Sequence, residues 1–70
     1  DYERGIEEYA LVVKNYPKSE KASRALYRKA MAFLELNDKD AAKATLRQLI
    51  ADYPKSEDSK QARTKLVSLK

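Results

Sequence analysis

Hydrophobic residues recur every three or four positions in four successive stretches of the chain, which is the spacing of amphipathic α-helices. The pattern predicts helices over about 1–15, 20–36, 39–52 and from 57 to the C-terminus. Their apolar positions, in chain order, are Ile6, Tyr9, Val12 and Val13; Ala22, Leu26, Ala30 and Phe33; Ala42, Leu46, Leu49 and Ile50; and Ala62, Leu66 and Leu69.

The second predicted helix carries a further apolar stripe, formed by Tyr27, Met31 and Leu34. Two stripes on one helix predict either two neighbours or one neighbour and one binding surface. The fourth predicted helix has a single narrow stripe and a polar back. That pattern is typical of a helix that caps a stack of repeats.

One pentapeptide, Tyr-Pro-Lys-Ser-Glu, occurs twice, at Tyr16–Glu20 and at Tyr53–Glu57. Each copy, termed a corner, ends one helix and begins the next. Proline cannot continue the preceding helix and moves the tyrosine out of the α region. The serine can accept a hydrogen bond at the next helix start, where glutamate also suits the dipole. The tyrosine is expected to close the corner as an apolar anchor.

The segment between the second and third helices has its own signals. Asn37 tolerates left-handed geometry at a helix end, and Asp38 can cap the helix that follows. Gly5 lies inside the first predicted helix, where it costs up to about 1 kcal/mol relative to alanine. We expect a neighbouring helix to approach closely at that position.

Composition limits the function classes. Seventy residues allow one small domain, and cysteine and histidine are both absent, which excludes disulfides, histidine-based triads and the usual zinc sites. Carboxylates pair at Glu3 and Glu7, at Asp38 and Asp40, and at Glu57 and Asp58, but at helix starts or on polar faces. They are interpreted as caps and surface groups. The sequence therefore predicts neither catalytic residues nor a metal or cofactor site, and the protein is not expected to be an enzyme.

The net charge of +4 comes from 15 lysines and arginines interspersed with 11 acids. Mixed signs favour a solvated surface over a nucleic-acid patch. A basic nucleic-acid-binding helical domain is kept as the alternative from another class. No apolar run approaches the roughly 20 residues needed to cross a bilayer, so membrane insertion is not expected.

The chain resembles tetratricopeptide repeats over Leu26–Pro54, because Leu26, Ala30 and Phe33 are followed by Ala42, Leu46 and the closing proline. Leucine stands where tryptophan is typical, and the corners recur after 37 positions (16 to 53). The resemblance implies an all-α fold of about four antiparallel helices stacked as a right-handed solenoid. It divides the chain into the second helix of a repeat (1–16), one complete repeat (20–54) and a C-terminal capping helix (57–70).

In such arrays the first helix of each repeat lines a concave, partner-binding surface. The resemblance therefore assigns a protein or peptide partner to one face of the second predicted helix and to part of the fourth. On periodicity alone, Tyr27 and Met31 fit the core and the groove equally well. The predicted partner-binding residues are Arg24, Tyr27, Arg28, Met31, Glu35, Gln61, Thr64 and Lys65.

A narrower likeness covers nearly the whole chain. Ala25–Tyr27, Leu34–Asp38, Ala42–Leu46, Gln48–Ile50 and Tyr53–Ser56 resemble the last repeats of the Tol–Pal-associated periplasmic cell division coordinators. That resemblance implies a Gram-negative periplasmic scaffold linking the Tol–Pal system to peptidoglycan synthesis, with Tol-complex and peptidoglycan synthase components as partners. The corners are shared with a tetratricopeptide lipoprotein of outer-membrane protein assembly, which is the alternative.

The start at Asp1 is read as a processed chain or an excised fragment. The first predicted helix has a full apolar face and only the second helix to cover it. We therefore expect an exposed apolar patch there, and self-association through it.

Overall fold

The computed structural model describes residues 1–69, which form four α-helices and no strand. The helices are α1 (Tyr2–Asn15), α2 (Glu20–Glu35), α3 (Lys39–Asp52) and α4 (Glu57–Ser68). The all-helical prediction is confirmed, with small differences at three ends. The carboxylate of Asp1 caps α1 by accepting from two backbone N–H groups, and Leu36 caps α2 instead of ending it. The predicted extension of α4 to residue 70 lies partly outside the described residues.

The two corners have nearly the same backbone. The tyrosines that precede proline have φ −132° and ψ 55° at Tyr16, and φ −133° and ψ 58° at Tyr53. The serines are extended, and Ser19 and Ser56 accept hydrogen bonds from Lys21 and Ser59 backbone N–H groups at 3.0 and 2.9 Å. The predicted helix stops and serine caps are therefore confirmed.

The turn between α2 and α3 is closed by two backbone hydrogen bonds of the Schellman type. Asn37 has the predicted positive φ of 64°, and its N–H donates to the Leu34 carbonyl. The Asp38 N–H donates to the Phe33 carbonyl, while its carboxylate caps α3 through Ala41 N–H. This tight turn makes α2 and α3 an antiparallel hairpin.

Helix α2 is the central element, because it packs against α1, α3 and α4. Leu26 and Ala30 of α2 join Leu46 and Leu49 of α3 and Ala62 of α4 in the buried core. Alanines on α2 let its neighbours approach closely. The resulting stack is a slab with Cα extents of 29 × 28 × 13 Å.

The second corner lies against the first. The Tyr53 hydroxyl donates a hydrogen bond to the carbonyl of Pro17, and the half-buried Tyr53 ring packs against the core. Tyr53 is thus the anchor that its pattern predicted. Tyr16 is not such an anchor. It is 62% exposed, because among residues 1–69 no further corner lies against the first one.

Two further expectations need revision. A Cβ at Gly5 would meet only the ring of Tyr9 in its own helix, at 3.7 Å, so no neighbouring helix approaches it within the described chain. Asp58 is more than a surface group, since only 16% of its side chain is exposed. It contacts α2, as described below.

We expect Tyr53→Phe to lower the free energy of unfolding by about 1 kcal/mol, the typical net value of one hydrogen bond. Chemical denaturation monitored by circular dichroism measures the change. Tyr16→Phe is the matched control and should change the free energy of unfolding by no more than a few tenths of about 1 kcal/mol. Equal effects at the two tyrosines would contradict the stacking role of Tyr53.

The Ser59 hydroxyl is fully buried and finds no hydrogen-bond partner among the described residues. An unsatisfied buried hydroxyl costs about 1–3 kcal/mol. Ser59→Ala should therefore raise the melting temperature, by roughly 4–8 °C per kcal/mol regained in a domain of this size. Ser23→Ala should lower it, because that hydroxyl is partnered. A melting temperature that falls for Ser59→Ala would refute the assignment.

Candidate protein-binding site

A groove of about 630 Å³ runs over α2, between α1 on one side and the second corner with the start of α4 on the other. Its apolar wall is formed by Tyr9, Val12 and Ala25. Charged side chains surround this wall on the α2 and corner sides. They are Glu20, Lys21, Arg24, Arg28, Lys55, Glu57 and Asp58.

A polar contact joins α2 to α4 at one end of the groove. One Asp58 carboxylate oxygen lies 3.0 Å from the Ser23 hydroxyl, and the other lies 3.3 Å from Nε of Arg24. The Ser23 hydroxyl also lies 3.0 Å from the carbonyl of Glu20, so one proton serves two acceptors. Ser23 is buried and 16% of the Asp58 side chain is exposed, so the hydrogen bond between them is shielded from solvent, whereas the Arg24 side of the contact is open to it.

The α2 members of the predicted site divide between groove and core. Arg24 and Arg28 are exposed and line the large groove, with Arg24 already paired to Asp58. Tyr27 is half-buried against the core, outside both cavities. Met31 also packs against the core, but it lines a second cavity of about 320 Å³ beside the start of α1. Glu35 is exposed at the end of α2.

The α4 members of the predicted site lie outside both cavities. Gln61 and Thr64 are exposed, and the Thr64 hydroxyl donates to the Lys60 carbonyl at 3.3 Å. Lys65 is half-buried. The structure thus brings Arg24, Arg28 and Met31 to the surface beside α1 and leaves the other predicted residues apart from it. A partner-binding role for all eight stays a prediction.

Of the residues that line the groove, sequence reasoning assigned only Arg24 and Arg28 to a site. Those that it missed include Tyr9, Val12, Lys21 and Asp58. Periodicity marked the first two as apolar and led to the expectation of an exposed apolar patch on the first helix; the structure leaves both residues half-buried beside the groove. A usable signal was available for Asp58. It lies in the first turn of α4, and the repeat makes α4 a neighbour of α2, where Arg24 offers the opposite charge.

Two features of the described residues concern metal sites and membrane spans. Among residues 1–69, no three acidic side chains cluster as metal ligands would. Within the same range, no helix combines the length and the apolar character that a bilayer crossing requires. The exposed groups of the groove are guanidinium, ammonium and carboxylate groups beside an apolar wall, which suit a polypeptide ligand.

Comparison with known families gives one match. Residues 24–56 match the tetratricopeptide repeat family, from the second turn of α2 through α3 into the second corner. The match supports a tetratricopeptide repeat protein, and such repeats are in general non-catalytic interaction modules. No curated protein and no solved structure gave a significant match to this chain.

We expect Asp58→Asn to lower the free energy of unfolding by about 1–2 kcal/mol, because the charge that meets Ser23 and Arg24 is lost in a partly buried place. Glu57→Gln is the control, since its carboxylate lies in the same first turn and is 78% exposed. The Glu57→Gln substitution should lower the free energy of unfolding by about 0.5 kcal/mol or less. Urea denaturation of both variants gives the comparison, and equal losses would mean that only the helix dipole is involved.

Proposed function

We propose, from the tetratricopeptide repeat at residues 24–56, that this chain is a non-catalytic protein-interaction scaffold whose binding surface is centred on α2. The observation that supports it most is the large groove along α2, in which an apolar wall is bordered by charged side chains of both signs. Arg28 makes no ion pair within residues 1–69, so its guanidinium is available to a partner. Arginine beside aromatic surface is typical of residues that dominate binding energy.

The proposed binding surface extends from the groove onto the side of the stack that α2 shares with α4. Exposed Glu35 and Gln61 would contribute polar contacts, and Tyr27 would contribute its half-exposed ring. The full proposed set is Arg24, Tyr27, Arg28, Met31, Glu35, Gln61, Thr64 and Lys65. Contacts from two helices of successive hairpins would let one extended peptide or one helix span the stack.

The assignment of a cellular location and of particular partners rests on the sequence resemblance alone. The stretches around Leu34–Asp38 and Tyr53–Ser56 resemble the last repeats of the Tol–Pal-associated cell division coordinators. We therefore propose a periplasmic location in a Gram-negative bacterium. The partners would be components of the Tol complex and of a peptidoglycan synthase, which the scaffold would link during division. The alternative is a module of an outer-membrane protein assembly lipoprotein, since its corners are similar.

We expect the chain to bind a purified periplasmic domain of the Tol complex, and Arg28→Glu to weaken that binding at least tenfold, the effect of about 1.4 kcal/mol. Isothermal titration calorimetry measures both affinities. Arg47→Glu is the matched control, because Arg47 is also an exposed helical arginine but lies on α3, away from α2's groove.

The outcomes separate the alternatives. Binding to outer-membrane assembly domains, with none to Tol domains, would favour the lipoprotein assignment. Equal losses for the two charge reversals would show that net charge, and not the α2 surface, governs binding.

A further inference from the structure

The ion pair between Arg24 and Asp58 joins two side chains in very different surroundings. The Arg24 side chain is 63% exposed, whereas only 16% of the Asp58 side chain is exposed. Their closest approach is 3.3 Å, from Nε of Arg24 to one carboxylate oxygen of Asp58. Within residues 1–69, Arg24 makes no other ion pair. The guanidinium is therefore the member of the pair that can turn into solvent, and the carboxylate is the fixed member.

Asp58 is held in place by interactions that do not involve Arg24. Its second carboxylate oxygen accepts a hydrogen bond from the buried Ser23 hydroxyl at 3.0 Å. It also lies in the first turn of α4, where the helix dipole favours a negative charge. Breaking an ion pair is costly mainly when it leaves a buried charge without compensation. Asp58 keeps both of these interactions when Arg24 leaves, so the release of Arg24 costs little.

Arg24 is also one of the cations that line the large groove along α2. Lys21 and Arg28 line the same groove, and neither makes an ion pair within residues 1–69. The protein without a ligand thus presents two cations of α2 that are available and one that is engaged. A ligand can use Arg24 only if it offers an oxygen that competes with the carboxylate of Asp58.

We propose that the Arg24–Asp58 ion pair is an autoinhibitory contact, which withholds the Arg24 guanidinium from the groove until a ligand carboxylate takes the place of Asp58. This inference rests on the proposed protein-binding function and adds a form of regulation to the same surface. Helix α4 stays docked during the exchange, because the hydrogen bond from Ser23 and the burial of Ala62 in the core do not depend on Arg24.

The exchange makes Arg24 and Arg28 unequal, although both are exposed arginines one helical turn apart. A ligand carboxylate at Arg28 forms a new ion pair and breaks none. A ligand carboxylate at Arg24 replaces one exposed ion pair with another, so the net gain in affinity is smaller. Removal of the Asp58 charge should abolish this difference.

A labelled hexaglutamate peptide with blocked termini tests the proposal by fluorescence anisotropy. Low ionic strength is used, because exposed ion pairs are then least screened. Asp58→Asn should raise the affinity for this peptide about two- to fivefold, the range of a typical exposed ion pair. The same substitution is expected to lower the stability of the fold, so affinity and stability should change in opposite directions. A purely structural role of Asp58 would lower both.

Glu57→Gln is the matched control. It also removes one carboxylate from the groove lining and releases one cation, because Glu57 pairs with Lys60 at 3.6 Å. Lys60 does not line the groove, so this variant should raise the affinity by less than about twofold. Equal gains for Asp58→Asn and Glu57→Gln would show a general effect of charge and would overturn the proposal.

A second background isolates the contribution of Arg24. In a chain that carries Arg24→Gln, Asp58→Asn should raise the affinity no more than Glu57→Gln does, because no guanidinium is left to release. The full gain in that background would contradict the autoinhibitory contact.

Two single substitutions leave Asp58 and the core untouched. Arg28→Gln should weaken hexaglutamate binding about two- to fivefold, and Arg24→Gln should weaken it by less than about twofold. Circular dichroism checks the fold of each variant, and this comparison decides the matter should Asp58→Asn unfold. An equal or larger loss for Arg24→Gln, or no measurable binding of hexaglutamate, would overturn the proposal.

Calorimetry with the periplasmic Tol domain separates this inference from the proposed function. Binding of the Tol domain without the expected hexaglutamate pattern would leave the scaffold function standing and remove the autoinhibitory contact. The hexaglutamate pattern without Tol binding would leave the autoinhibitory contact standing and remove that partner.

Discussion

The stacking of the second corner on the first determines how the rest of the chain is arranged. Tyr53 donates a hydrogen bond to the Pro17 carbonyl, and five residues later Asp58 contacts Ser23 and Arg24 across the same junction. These contacts link residues about 35 positions apart and set α4 beside α2. The core follows, because Ala62 can join Leu26 and Leu49 only when α4 lies on that side. Without this junction α4 would have only α3 to pack on, and α2 would lose its third neighbour.

The same junction shapes the binding surface. Asp58 holds Arg24 at one end of the groove, so the exposed cations of α2 in the groove that make no ion pair within residues 1–69 are Lys21 and Arg28. The end at Asp58 is closed by the contact between Ser23 and Asp58, while the opposite wall, from α1, has no fully buried residue. The groove therefore has one polar end and one half-exposed apolar wall.

Local chemistry predicted the helices well, because each boundary has a strong cause: proline at 17 and 54, serine caps, and left-handed Asn37 followed by Asp38. Which helices pack against one another was harder to predict. Periodicity places Tyr27 and Met31 on one face of α2, but it cannot show that both side chains pack partly against the core. The role of Asp58 and the exposure of Tyr16 likewise depend on which corner lies against which. These are tertiary relations between residues whose local sequences are almost identical.

Positions 37 residues apart, which correspond in the repeat, also show how the two ends of the stack differ. Leu26 is the core of the first hairpin, and its counterpart Arg63 is exposed on α4, so that side is already polar. On α1 the counterparts of buried Leu46 and Leu49 remain apolar as Tyr9 and Val12, although the described chain leaves them only half-buried. Half-exposed apolar area at the α1 end is stabilised by any surface that buries it. The α4 end presents a guanidinium at the equivalent position, so the two ends of the stack are not interchangeable.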